Sequence, residues 1–235
     1  MISAVLVILA AICLLVTLIP LLPIAHGMVR SFDFGRLQVM VVATAVILVA
    51  LVSGIRTPIN LAAGAMAATA FVIQLVFVLR FTPFWRTQTA RFGGDLGSVA
   101  TISVLACNVK QGNRDYQRVI DLVRELEPDG SEVRIIALHP EPPVPVRDTL
   151  GRDAEILLVA EEARDEELPL IVTGDLNDVA WSRTTRRFLR ISGLLDPRQG
   201  RGLFNSFDAR YWFLRWPLDH IFHSRHFELV SIERQ

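Results

Sequence analysis

The residues that could do chemistry stand at the ends of short apolar runs. Leu170-Ile171-Val172 is closed by Gly174 and followed by Asp175 and Asn177, two residues apart. Residues two apart on an extended backbone share a face, so the Asp175 carboxylate and the Asn177 amide are expected side by side at a sheet end. The carboxylate can orient a water or take its proton, and the amide can donate to an anionic oxygen. A plain strand followed by an Asx-type turn fits the same residues. Asn108 ends a second apolar run and His139 a third, while Asp219 lies inside the apolar stretch 216–222. A carboxylate buried there needs a partner, and the neighbouring His220 is a natural one.

Elements must carry these residues, and composition divides the 235-residue chain in two. Net charge is zero and 51% of residues are hydrophobic, with a mean hydropathy of +0.40. Almost all the charge lies beyond residue 80. That contrast predicts a membrane part (1–91), a glycine-rich linker (92–99) and a water-soluble α/β part (100–235). Zero net charge gives no support to nucleic-acid binding through overall charge. Cys13 and Cys107 form neither a ligand pattern nor a disulfide framework.

Three apolar runs, about 2–25, 37–54 and 61–80, are each expected to cross a bilayer as a helix. The first lacks a basic leader and is too long for a signal-peptide core, so it is expected to be retained. Residues 26–36 are expected to form a polar loop. Gln74 is expected to bond a neighbouring helix, and Phe81, Phe84 and Trp85 with Arg80 and Arg86 to form an interfacial anchor. Arg30, Arg36, Arg80, Arg86 and Arg91 fall on one side and Arg56 on the other, which predicts a cytoplasmic C-terminal domain.

Beyond the linker, the pattern predicts strands at 100–106, 132–138, 170–172, 204–207, 216–224 and 227–232. Helices are expected at 116–126, 152–165 and 181–191, the last led by Ser182. Strand–helix alternation of this kind makes a layered α/β domain. Arg183, Arg186, Arg187 and Arg190 give the last helix a basic face, which is a solvated surface or a contact for phosphates. His220, His223 and His226 recur every third residue, but on an extended segment they would not converge on a metal.

The ordered stretches ISVLACNVKQGNRDYQRVIDLVRELEPD, IIALHPEPP, PLIVTGDLNDVAWSRTTRRF, GLLDPRQGRG and RWPLDHIFHS resemble the endonuclease/exonuclease/phosphatase (DNase I-like) superfamily. More narrowly, they look like its bacterial membrane-tethered members. The resemblance implies an incomplete DNase I-like four-layer α/β sandwich preceded by three transmembrane helices, in the bacterial inner (cell) membrane. It implies metal-assisted hydrolysis of a phosphodiester or phosphomonoester, with Mg²⁺ or Mn²⁺ as the cofactor. By resemblance Asn108 lies beside the metal and His139 contacts the phosphate. Asp175 orients or deprotonates the attacking water, Asn177 binds the phosphate, and Asp219 orients a catalytic histidine.

Two departures are expected to impair activity. The strand that ends in the family's metal-binding glutamate has no counterpart between Glu127 and Glu132, and the chain stops at Gln235 before the closing Ser-Asp-His motif. The alternative is a non-catalytic, membrane-anchored domain that binds a phosphate-bearing ligand or a partner. The substrate stays open between nucleic acid, phospholipid and inositol phosphate. Membrane tethering tilts it toward lipid-linked esters, and the residues leave the oligomeric state unassigned.

Overall fold

A computed structural model describes residues 2–52, 57–104, 132–207, 211 and 214–234. The expected strand end at Asn108, Cys107, the helix at 116–126 and the position of the absent glutamate strand lie outside these residues.

The apolar N-terminal part forms helices α1 (Ile2–Leu18), α3 (Arg36–Val52) and α4 (Pro58–Val78), which pack against one another. Small side chains let them close up: Ala10, Ala43, Ala63, Ala67 and Ala70 are fully buried between them. With their short 3₁₀ extensions, Ile2–Leu21 and Pro58–Phe81 are long and apolar enough to cross a membrane. The expectation of three spans is corrected to two among the described residues. Arg36–Val52 has 17 residues, and at 1.5 Å per residue it reaches roughly 25 Å against a hydrocarbon core of about 30 Å.

Residues 26–36 are not a solvated loop. They contain helix α2 (Gly27–Ser31), and Arg30, Asp33 and Arg36 are all buried. Asp33 and Arg36 form an ion pair, and Arg36 Nη1 donates to Gln74 Oε1 at 2.6 Å. Gln74 Nε2 in turn donates to Thr17 Oγ1 at 3.0 Å. Gln74 therefore bonds a neighbouring helix, as expected. The polar chain ties α1, α3 and α4 together at the end that faces the C-terminal domain.

In that domain β1 (Arg134–Ala137), β2 (Leu170–Asp175) and β3 (Asp219–His223) make a mixed sheet in the order β1-β2-β3. β2 runs parallel to β1 and antiparallel to β3. Leu170, Ile171 and Val172 are all buried, as the central strand of a sheet covered on both faces must be. Helix α5 (Leu150–Arg164) connects β1 to β2 and buries Ile156, Ala160 and Ala163, one stripe at helical spacing. Helix α6 (Arg183–Ser192) follows β2. Ser182 Oγ caps it by accepting from Thr185 N at 3.0 Å, and Phe188 packs on Phe222 of β3.

Three strand expectations fail among the described residues. Residues 101–104 are irregular, 227–232 contributes only a bridge from Leu229 to Arg91, and 204–207 only one from Phe207 to Trp216. The interfacial anchor is corrected too, because the segment that follows α4 is bonded to the domain. Phe92 N donates to the Leu229 carbonyl, Gly200 N to the Arg80 carbonyl, and Asp196 N to Gln88 Oε1. Phe81 is buried against Trp181, ring centroids 6.1 Å apart. Of the anchor's three aromatic rings Phe84 alone is exposed, at 92%.

Helices and domain are thus joined by a core of their own, in which Phe81 meets Val179, Ala180, Trp181 and Leu218. Gly27 is required here, because a Cβ would lie 1.9 Å from the Val144 carbonyl oxygen. Trp181 Nε1 donates to the Asp33 carbonyl at 2.8 Å, and Trp216 Nε1 to the Phe34 carbonyl at 2.7 Å. Trp181→Phe keeps an aromatic ring in place but leaves the buried Asp33 carbonyl without this donor. It is expected to cost about 1–2 kcal/mol, read by denaturant unfolding of the full chain in detergent. An unchanged unfolding midpoint would show that the indole bond does not contribute.

Candidate active site

The site forms where β1 and β2 end. β1 comes so close to β2 that Leu138 N donates to the Thr173 carbonyl at 2.9 Å. A Cβ on Gly174 would lie 2.0 Å from the Leu138 carbonyl oxygen, and Gly174 has φ +143°, so no other residue fits there.

β2 stops at Asp175, and the backbone then turns sharply. Asn177 has φ +48°, and its N–H donates to Asp175 Oδ1 at 2.8 Å. This is the Asx turn, a geometry that Asn tolerates. It corrects the expectation that an extended backbone sets the two side chains side by side. The Asn177 amide instead donates through Nδ2 to the Pro140 carbonyl at 3.0 Å and holds the loop after β1 against the turn.

Asp219 is the residue paired with Asp175 across the β2–β3 ladder. Leu176 N donates to the Leu218 carbonyl, so that neighbouring pair is hydrogen-bonded. Pairs alternate along an antiparallel ladder, which puts Asp175 and Asp219 at a non-hydrogen-bonded position, where side chains come closest. Like charges directly opposite are destabilising. Asp219 Oδ1 is also buried without a hydrogen-bond partner among the described residues.

His220 is not Asp219's partner. Adjacent strand residues face opposite ways, and His220 lies in a buried polar network, 1% exposed. Its Nε2 meets the Asp178 carbonyl at 2.9 Å, and its Nδ1 meets Arg198 Nη2 at 2.8 Å. A carbonyl only accepts and a guanidinium only donates, so His220 is neutral, with its proton on Nε2. Burial, and then the positive charge of Arg198, hold its pKa well below 6.5. Its neutral form therefore stabilises the fold at pH above about 6.5, and that contribution is lost as the pH falls toward the lowered value. The unfolding midpoint of the wild type is expected to drop on acidification from pH 7 to pH 5, and His220→Gln to flatten that dependence. Identical pH profiles for the two proteins would refute this role. His223 and His226 bond elsewhere, to Thr89 and Ser224.

His139 follows β1 and is exposed. The structure brings Asp175, Asn177 and Asp219 together and leaves His139 at the solvent side of the neighbouring strand end. Asn108 lies outside the described residues.

Two arginines escaped sequence reasoning. Arg152 Nη2 donates to the Leu176 and Asn177 carbonyls at 2.9 and 3.2 Å, and its Nε to the Glu141 carbonyl at 3.0 Å. It braces both loops of the site. Arg198 forks onto Asp196 through two bonds of 2.9 and 2.8 Å and donates to the Asp219 carbonyl at 3.2 Å. One signal for Arg152 was present in the sequence. It lies in the first turn of α5, where the helix dipole disfavours a cation.

A cleft of about 400 Å³ opens onto the Asx turn. Asp175, Asn177, Leu218, Phe207, Pro142 and Pro143 line it from the domain, and Ser31 and Phe34 close it from the segment between α1 and α3.

The C-terminal part is thus an α/β domain with two strand-end carboxylates, one of which, Asp175, lines a cleft. The chain belongs to the endonuclease/exonuclease/phosphatase family, whose model matches residues 58–235. The match begins at Pro58, the first residue of α4, well ahead of the boundary expected at residue 100. No curated protein and no solved structure matches the chain.

The family generally uses a divalent metal, and the residues present fit one. Asp175 and Asp219 are hard oxygen donors of the kind a divalent cation takes, and Asp219 Oδ1 is buried without a hydrogen-bond partner among the described residues. Among the described residues no group of three or more His, Cys, Asp or Glu could hold a metal. Two carboxylates are nevertheless enough for an ion that keeps waters and takes substrate phosphate oxygens.

Proposed function

We propose that the chain is a membrane-anchored, metal-dependent phosphoesterase. The observation that carries this reading is the Asp175–Asp219 pair, set directly opposite each other at the sheet end beside the cleft. A domain that only bound a phosphate would be hindered by two carboxylates there, whereas a metal-assisted hydrolase uses them.

Asp175 and Asp219 would hold the cation, Mg²⁺ or Mn²⁺, with Asn108 beside it by resemblance. When bound, the ion supplies positive charge against the phosphoryl oxygens. Asp175, fixed by its bond from Asn177 N–H, orients the attacking water and accepts its proton. His139 stands at the adjacent strand end, where it can donate to a phosphate oxygen. Asn177 keeps the turn closed on Pro140, a positioning role that replaces direct phosphate contact. Arg152 and Arg198 hold the backbone under both carboxylates.

Ile2–Leu21 and Pro58–Phe81 support insertion in a bacterial inner membrane as a multi-pass protein. The exposed Arg80, Arg86 and Arg91 follow α4 on the domain's side, which supports a cytoplasmic domain.

The test is hydrolysis of bis-p-nitrophenyl phosphate by the purified full-length chain in detergent. Activity is expected with added Mg²⁺ or Mn²⁺ and is expected to vanish in EDTA. Turnover that survives EDTA, or none with any divalent ion, would overturn the reading.

A further inference from the structure

The cleft is not built by the catalytic domain alone. Ser31 and Phe34, from the segment that joins α1 to α3, form one wall of it. That segment is firmly fixed. Arg30 is paired with Asp153 at 2.9 Å, Gly27 N donates to the Arg147 carbonyl, and Thr149 N donates to the Ala25 carbonyl. Phe34 is held at its carbonyl by Trp216 Nε1, and its ring lies edge-on to the Trp216 ring, with centroids 5.9 Å apart.

Phe34 also stands two residues before α3. The domain's α6 rests on the same helix ends: Arg186 lies over the Phe77 ring of α4, 4.6 Å from its centroid, with Arg36 over the same ring at 3.9 Å. If α1 and α4 span a bilayer, the cleft lies at the membrane surface. Among the described residues its lining includes no Lys or Arg. The described lining thus offers none of the basic contacts to successive phosphates through which a nucleic acid is chiefly bound. The lining instead combines two polar groups of the Asx turn with apolar side chains, among them Phe34, Phe207 and Leu218. That combination suits an amphiphile with one phosphate and an attached apolar part.

We propose that the substrate is a phosphate ester of a membrane lipid, and that Phe34, supplied by the membrane-side segment, is the specificity-determining residue that seats its apolar portion. This rests on the phosphoesterase reading, and the experiment separates the two. The full-length chain in phosphatidylglycerol nanodiscs is assayed for headgroup release, and in parallel for hydrolysis of bis-p-nitrophenyl phosphate and of a short single-stranded DNA. Phe34→Ala is expected to lower the ratio of lipid to soluble-diester turnover by about tenfold, the scale of one lost apolar contact in a pocket. Phe34→Leu is expected to keep most of that ratio, and Leu158→Ala, at an exposed site on α5 outside the cleft, to leave it unchanged. A photoactivatable phosphatidylglycerol in the same nanodiscs is expected to crosslink to peptides containing Phe34 or Phe207, in wild type and in Asp175→Asn alike.

Turnover of the soluble diester or DNA without lipid turnover would overturn the lipid assignment and leave the phosphoesterase reading standing. An equal loss on lipid and soluble diester in Phe34→Ala would reduce Phe34 to a structural role and overturn its assignment. Crosslinking without hydrolysis of any ester would support the lipid site and overturn the phosphoesterase reading. Neither crosslinking nor hydrolysis would overturn both.

Discussion

Asp175→Asn is expected to lower metal-dependent phosphodiester hydrolysis by about 10³-fold, within the range for loss of a general base. The substitution isolates charge from shape. An asparagine Oδ1 can still accept from Asn177 N, so the turn that fixes residue 177 is kept. What is lost is the negative charge that faces Asp219 across the ladder. Relief of that repulsion is expected to leave the unfolding midpoint equal to or above that of the wild type. Falling activity with unchanged or rising stability is the signature of a residue kept for chemistry. A variant that hydrolyses the diester at the wild-type rate would remove Asp175 from the mechanism. One that unfolds more easily would make it a structural residue.

Arg152→Met is expected to cost about 3–5 kcal/mol, the range for breaking a buried ion pair from one side. Methionine fills much of the same volume, so the loss is mainly polar. Asp153 and Asp178 would lose the guanidinium that lies 2.9 and 3.4 Å from them, and the Glu141, Leu176 and Asn177 carbonyls would lose their donor. Arg152→Lys is expected to recover only part of this, because an ammonium lacks the planar fork that reaches several acceptors at once. Equilibrium unfolding of the full chain in detergent checks both variants. A cost below about 1 kcal/mol for Arg152→Met would show that the brace is a surface contact in effect. Catalysis is expected to suffer in Arg152→Lys even where the protein stays folded, because the loop that carries Asn177 would lose its support.

Particular residues show where sequence reasoning reached and where it stopped. Local rules sufficed for β2, for α6 with its Ser182 cap, and for the gathering of Asp175 and Asn177, because a strand end and an Asx turn are settled within a few residues. They gave the wrong geometry for that pair, since the alternation rule holds only while the backbone is extended. They paired Asp219 with His220, although adjacent strand residues face opposite sides. His220 found Arg198 and Asp178, which are 22 and 42 residues away.

By itself the sequence determined the apolar N-terminal part, the α/β character of the rest, the family and the residues at the strand ends. These are properties of short segments and their order. Only the tertiary structure decided that Asp175 faces Asp219, because strand register is fixed by pairing between segments more than 40 residues apart. It also decided that the charged residues of segment 26–36 are buried. Read alone, Arg30, Asp33 and Arg36 look like a solvated loop, because a charge is expected outside unless it is paired. Asp153, Gln74 and the carbonyl contacts of Trp181 and Trp216 become neighbours only when the helices and the domain close on one another, and they make that segment a wall of the site.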